Sequence, residues 1–235
     1  MPLTDWKILP HRDIEAFSEH LWQIEGDLEH LPIGRRMVMV RMDDGRLVIH
    51  NAICVSEQCM ARIEAWGEPA FVIVPNAFHR IDAPRWAARY PNAKVLTSSA
   101  AKKKVLERVR VDGDVEELPR TARLELIPLR GSKVGEAAMR VSEPSGTSLV
   151  FNDTVMNNHR NSGSLWWNFF ALTGSLGGPK VTGLMKLTGV SNKAELKAHL
   201  LELSQTPGLV RILPGHGAVI REHASDVLSG IAAKL

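Results

Sequence analysis

LVRILPGHG, residues 209–217, is the stretch whose reading decides the fold. Leu209 to Leu213 suit a short buried strand, which Pro214-Gly215 ends. Glycines on both sides of His216 let the backbone turn tightly and approach an ion with no Cβ in the way. A histidine just beyond a strand stands where α/β crevices bind ligands. His216 therefore reads as a metal ligand, the plainer alternative being a loop histidine bonded to backbone.

Two other stretches share this form. FVIVPNAFH (71–79) sets His79 beyond a continuous apolar run, and SLVFND (148–153) sets Asp153 beyond another. Two imidazoles and one carboxylate suffice for a single zinc, iron or manganese ion with a position open to water, provided the three converge in space. Asp153 has its own alternative, an Asx residue opening a loop.

Outward from these motifs the chain alternates strands and helices. RMVMVRM (36–42) and RLVIH (46–50) flank Asp43-Asp44-Gly45 and read as a hairpin. Ser56 caps a helix with Cys59, Met60, Ile63 and Trp66 on one face, and Gly67 stops it. AFVIV (70–74) is the next strand. Asp82 before Ala83-Pro84 reads as the cap of a helix that Pro91 ends, a role preferred over ligand or base. KVLT (94–97) precedes a helix expected from Ser98 to Arg110. The second half brings strands RLELIP (123–128), EAAMRVS (136–142) and TSLVFN (147–152), then helices near 191–204 and 222–233 on either side of LVRIL. No Pro-, Ser- or Gly-rich linker divides the chain. One domain spanning 1–235 is expected, in halves of about 1–120 and 121–235, with two sheets face to face and helices outside.

The 235 residues are 44% hydrophobic and 23% charged, with net charge +3, so charge alone singles out no acidic partner. Cys54 and Cys59 lack a second pair for a zinc cluster and read as structural thiols. The N-terminus MPLTDWKILPHRDIE has no apolar core of the signal-peptide kind, which points to a cytoplasmic, reducing setting. The longest apolar stretch, Leu165 to Leu176, is broken by Asn168 and glycine, short of the roughly 18 apolar residues a membrane span needs.

With these motifs in view, PGHG at a strand end near the C-terminus and LVFNDTVMN after an apolar strand resemble the last two metal motifs of the metallo-β-lactamase superfamily. The element order resembles that family over most of the chain. The resemblance implies an α/β (α+β) fold of one domain, a four-layer αββα sandwich, and an aspartate that bridges two metals. The sequence also departs from the pattern. Where the family carries His-x-His-x-Asp-His, this chain has Asn76-Ala77-Phe78-His79-Arg80-Ile81, which keeps none of the four ligands and leaves His79 on a spacer position. Ser132 stands where a further histidine belongs. Only Asp153 and His216 carry over, which argues against a dinuclear centre and leaves a mononuclear one to recruit His79, Asn76 or His159. PNAFH-x-x-D with RYPNAK is similar to a divergent branch of the superfamily.

Two functions follow. One is a hydrolase in which His216, Asp153 and His79 hold one weakly bound ion that activates water against an ester, thioester, amide or phosphoester, with Asp153 and His216 catalytic. The other is a metal-free, non-catalytic protein using the same crevice for a small molecule or partner. Lys102, Lys103, Lys104, Arg108 and Arg110 have no interleaved aromatics, so they read as a solvated face and not a nucleic-acid site. His199, in a leucine-rich helix, reads as packed. Leu165 to Phe170 offers a lid, a homodimer contact or core packing.

Overall fold

The computed structural model describes residues 5–159 and 165–235. The first four residues of the charged N-terminus lie outside that range. Two sheets form. In the first, β1 (Glu15–Ala16), β2 (Leu21–Leu28), β3 (Leu31–Arg41), β4 (Arg46–His50), β5 (Glu68–Ile73), β6 (Lys94–Thr97) and β7 (Gly113–Asp114) lie side by side in chain order. The second runs β11 (Leu209–Leu213), β10 (Gly146–Val150), β9 (Ala137–Glu143), β8 (Leu124–Pro128).

The apolar runs are continuous because both faces of each central strand are covered. Along β3, Val38 and Val40 point into the layer between the sheets, together with Val48, Ile73, Leu126, Met139, Val150 and Leu213. Met37 and Met39 point the other way, against α1 (Glu57–Trp66), α2 (Ala83–Arg89) and α3 (Ser99–Val105). Leu149, Phe151 and Ile212 cover the far face of the second sheet, under α5 (Gly183–Thr188), α6 (Lys193–Ser204) and α7 (Ala224–Ala233). The result is the αββα sandwich. A further short helix, α4 (Trp166–Leu172), buries Trp167 and Phe170. Among the described residues no helix is long and apolar enough to cross a membrane.

Several local expectations need correction. The antiparallel sheet begins before Arg36: β2 pairs with β3 from Leu21↔Val40 onward. Its alternation is hidden in LWQIEGDL because Gln23 is buried and tied to Glu15. The helix expected to reach Arg110 ends at Val105. The chain must turn there, because the Asp112 N–H bonds Val95 O and Gly113 pairs with Leu96, while the Arg110 guanidinium spans carbonyls of Pro91 and Ala93. Asp82 occupies the cap position of α2, yet its side chain caps nothing. The carboxylate instead accepts from Arg35, Arg85 and the Cys54 N–H, a buried charge compensated by two guanidiniums. Gly67 does end α1, although its φ of 176° is ordinary extended backbone. Glycine is needed because a Cβ there would lie 2.4 Å from Gly45 O in the hairpin turn.

Trp86 joins α2 to the sheet, fully buried and donating from Nε1 to Ile53 O at 3.0 Å. Trp86→Ala is expected to destabilise the fold by about 3–5 kcal/mol, read as a lowered urea midpoint.

Candidate metal centre

The ends of β5, β10 and β11 bring three side chains together. His79 Nε2 lies 3.1 Å from Asp153 Oδ1 and 3.2 Å from His216 Nε2, and His216 Nε2 lies 3.3 Å from the same Asp153 oxygen. No other group of three or more His, Cys, Asp or Glu ligand atoms gathers among the described residues. His159 stays apart, its Nε2 on Asn157 Oδ1 at 3.1 Å. Asn76 touches the set as a support, its Oδ1 taken by loop N–H groups and its Nδ2 donating to Asp153.

Each member is held from behind. His216 Nδ1 donates to Gly34 O at 2.6 Å, and His79 Nδ1 to Asn51 Oδ1 at 3.1 Å. With both Nδ1 protons directed at oxygen acceptors, both Nε2 lone pairs turn toward Asp153. Asn51 reaches this place through a left-handed backbone, φ 55°, which asparagine tolerates better than most residues, and its Nδ2 donates to Arg36 O. Asn76 Oδ1 accepts the N–H groups of Phe78 and His79, folding the loop that carries the imidazole. Asn76 Nδ2 then donates to Asp153 Oδ2 at 2.7 Å, so one side chain sets two members.

Two buried charges fix the other loops. The Glu136 carboxylate accepts the N–H groups of Asn152, Asp153 and Thr154 and the Thr154 hydroxyl, at 2.7 to 3.0 Å. Ser132 Oγ, in the place of the missing histidine, accepts the Glu136 N–H. Arg36, buried and paired with Glu25, donates to the carbonyls of Pro214 and Gly217 on either side of His216. Glycine is obligatory in that turn for a reason the sequence did not show. A Cβ on Gly217, at φ +85°, would meet Asn157 O at 2.0 Å, and one on Gly215 would meet Asn152 Oδ1 at 2.5 Å. The close approach is to the neighbouring loop.

Electrostatics follow from burial. Burial pushes the His79 imidazolium below its usual range, and Asp153 offsets this only in part. Burial pushes the Asp153 carboxyl up, but His79 and His216 outweigh it and hold the group well below the usual carboxylate range. Burial and then the Asp153 charge push Glu136 up, against its four donors.

This donor set fits a small cation. Zinc bonds nitrogen and carboxylate oxygen at about 2.0–2.2 Å, and neighbouring ligands of a tetrahedral ion are then about 3.3–3.5 Å apart. The three edges here come within about 0.2 Å of that lower value, and one coordination position stays open. Two facing imidazole lone pairs beside a carboxylate call for a cation, or a shared proton, to relieve their repulsion.

The three residues that the sequence singles out, His79, Asp153 and His216, lie together, whereas Asn51, Glu136 and Arg36, which support them, carry no sequence signal. Cys54 and Cys59 are buried free thiols apart from the site, and His199 is packed, accepting the Arg130 N–H.

No family model matches the sequence, and no curated protein matches it either. Solved structures do match by shape. The DIM-1 metallo-β-lactamase exposed to ceftazidime superposes with a TM-score of 0.64 at 12% identity, over 97% of this chain and 99% of that one. FIM-1 from Pseudomonas aeruginosa, in its mono-zinc form, gives 0.62 at 13% identity over 97% of both chains. A metallo-β-lactamase from Pontibacter korlensis gives 0.64 at 11% identity, over 95% and 99%.

Glu136→Gln places an amide N–H₂ against backbone N–H donors. A loss of about 1–3 kcal/mol is expected, measured by chemical denaturation. A change within about 0.5 kcal/mol, ordinary for a surface site, would show that the carboxylate is not holding the Asp153 loop.

Proposed function

The chain has the metallo-β-lactamase fold, and we propose that it is a metal-dependent hydrolase working with a single ion. The observation that carries this reading is the triangle of Nε2, Nε2 and Oδ1 atoms, 3.1 to 3.3 Å on an edge, on the wall of a cavity of about 620 Å³. His79, Asp153 and His216 would hold zinc, iron or manganese, with Asp153 and His216 the catalytic pair. Such an ion supplies Lewis acidity and lowers the pKa of water toward neutrality.

The chain's own residues provide the rest. Gly34 O and Asn51 Oδ1 fix the tautomers that leave both Nε2 atoms free to ligate. Asn76 turns one Asp153 oxygen away from the set and leaves the other in it. The reaction is hydrolysis: the water oxygen bonds to the carbonyl carbon or phosphorus, the bond to the leaving group breaks, and that group departs with a proton. Three ligands on one small cation favour a mononuclear centre, since no second cluster lies beside it among the described residues.

Protein purified without chelators should carry near-stoichiometric metal, lost in His216→Ala. Turnover in a screen of esters, thioesters, lactones and phosphodiesters should vanish on chelation, return with zinc and be abolished by Asp153→Ala. Trace metal unaffected by His216→Ala, with no metal-dependent turnover, would leave a metal-free binding protein.

A further inference from the structure

The cavity that holds His79, Asp153 and His216 has a mainly apolar wall. Leu31 and Ile33 of β3, Phe78 beside the site, Phe169 and Phe170 of α4 and Met185 of α5 all line it. Its charged groups are committed to one another: Lys7 Nζ lies 2.6 Å from Glu29, and Arg35 and Arg85 both bond Asp82. The polar side chains are likewise engaged locally, Thr182 Oγ1 accepting the Met185 N–H and Ser175 pairing with Thr173. An anionic arm would have to take Lys7 from Glu29 or a guanidinium from Asp82, whereas an aliphatic arm finds a wall that gains by being covered. The volume, about 620 Å³, is that of a small-molecule site and leaves room beyond the reacting group.

Resting on the hydrolase reading above, we infer that the substrate is a neutral ester or thioester with a flexible aliphatic acyl arm, packed against β3, α4 and α5 while its carbonyl faces the open position of the ion that His79, Asp153 and His216 would hold. Hydrolysis adds the water oxygen to the carbonyl carbon, breaks the bond to the alcohol oxygen or thiol sulfur, and yields a carboxylic acid and a free alcohol or thiol. Phe169 and Leu184 are both partly exposed cavity residues, so they set arm preference and can be changed without opening the core.

The test pairs turnover with binding in the metal-loaded protein. Across p-nitrophenyl acetate, butyrate, hexanoate and octanoate, kcat/KM should rise about fourfold per methylene, the expectation for an arm buried in the transition state. The p-nitrophenyl monoester of adipic acid should fall below the hexanoate. Phe169→Asp and Leu184→Asp should each flatten the gradient. Calorimetry with n-alkyl methyl ketones, which cannot be hydrolysed, should show affinity growing with chain length and a negative heat-capacity change. Turnover with no chain-length dependence, or with the adipate monoester preferred, overturns the inference and leaves the hydrolase reading intact. Graded ketone binding without turnover of any ester sinks the hydrolase reading and keeps the apolar-arm pocket. Absence of both removes both.

Discussion

Three loops from two different sheets must meet at one point, and two buried charges bring this about, one reaching from the first sheet to the second and one gathering a loop within the second. Arg36 belongs to β3 in the first sheet, but its guanidinium holds the turn after β11 in the second. Glu136, just before β9, gathers the N–H groups of the loop after β10, a nest of donors around one carboxylate. Backbone bonds complete the stitching: Ala77 N–H reaches Val134 O, and Ala137 N–H reaches Pro75 O. Removing one partner of a buried ionic contact typically costs about 3–5 kcal/mol, because the other is left without compensation. The site is therefore tied to the stability of the sandwich. Its precision comes from groups that touch no substrate.

That rigidity explains how three side chains remote in the chain form an ordered cluster. The family resemblance assigns Asp153 and His216, whereas His79 falls on a spacer position. The structure brings His79 to the same point because Asn76 curls the loop back on itself and Asn51 receives the ring's other nitrogen. A tight loop with fixed acceptors thus replaces a motif of closely spaced histidines. Ser132, which stands where the family pattern has a histidine, accepts the Glu136 N–H.

How much was legible in the sequence depended on whether the signal was local. The hairpin, the helix that Ser56 caps and the strands ending in His216 and Asp153 followed from turn residues, a cap and apolar runs, each a signal carried by neighbouring residues. The strand β2 was hidden, since Gln23 is buried and its partner Glu15 is contributed by another strand. Asp82 looked like a cap because its neighbours Ala83-Pro84 start a helix, but Arg35, remote in sequence, claims the carboxylate. Asn51, Glu136 and Arg36 carried no motif at all. Their roles are contacts across 15 to 181 residues of chain, which no periodicity records.

Two cavities flank the site, and their contrast bears on which side a substrate would use. The larger, about 750 Å³, is lined by Arg12, Glu15, Glu25, Arg36, His159 and Arg221, and none of the three donors opens onto it. It meets the site through Arg35, which lines both cavities, and through Gly34 and the glycines around His216, the backbone that holds the imidazole from behind. Its charges are spent in structural pairs, Arg36 with Glu25 and Arg221 with Glu15. The smaller cavity receives all three donors and the apolar faces of α4 and α5. Water in a polar, open cleft competes with every weak electrostatic contact, whereas an apolar wall lowers the local dielectric and strengthens whatever charge the donors hold. The three side chains face the more apolar cavity, so on the proposed reading the wall that would select an apolar arm is also the wall that would strengthen the centre it reacts at.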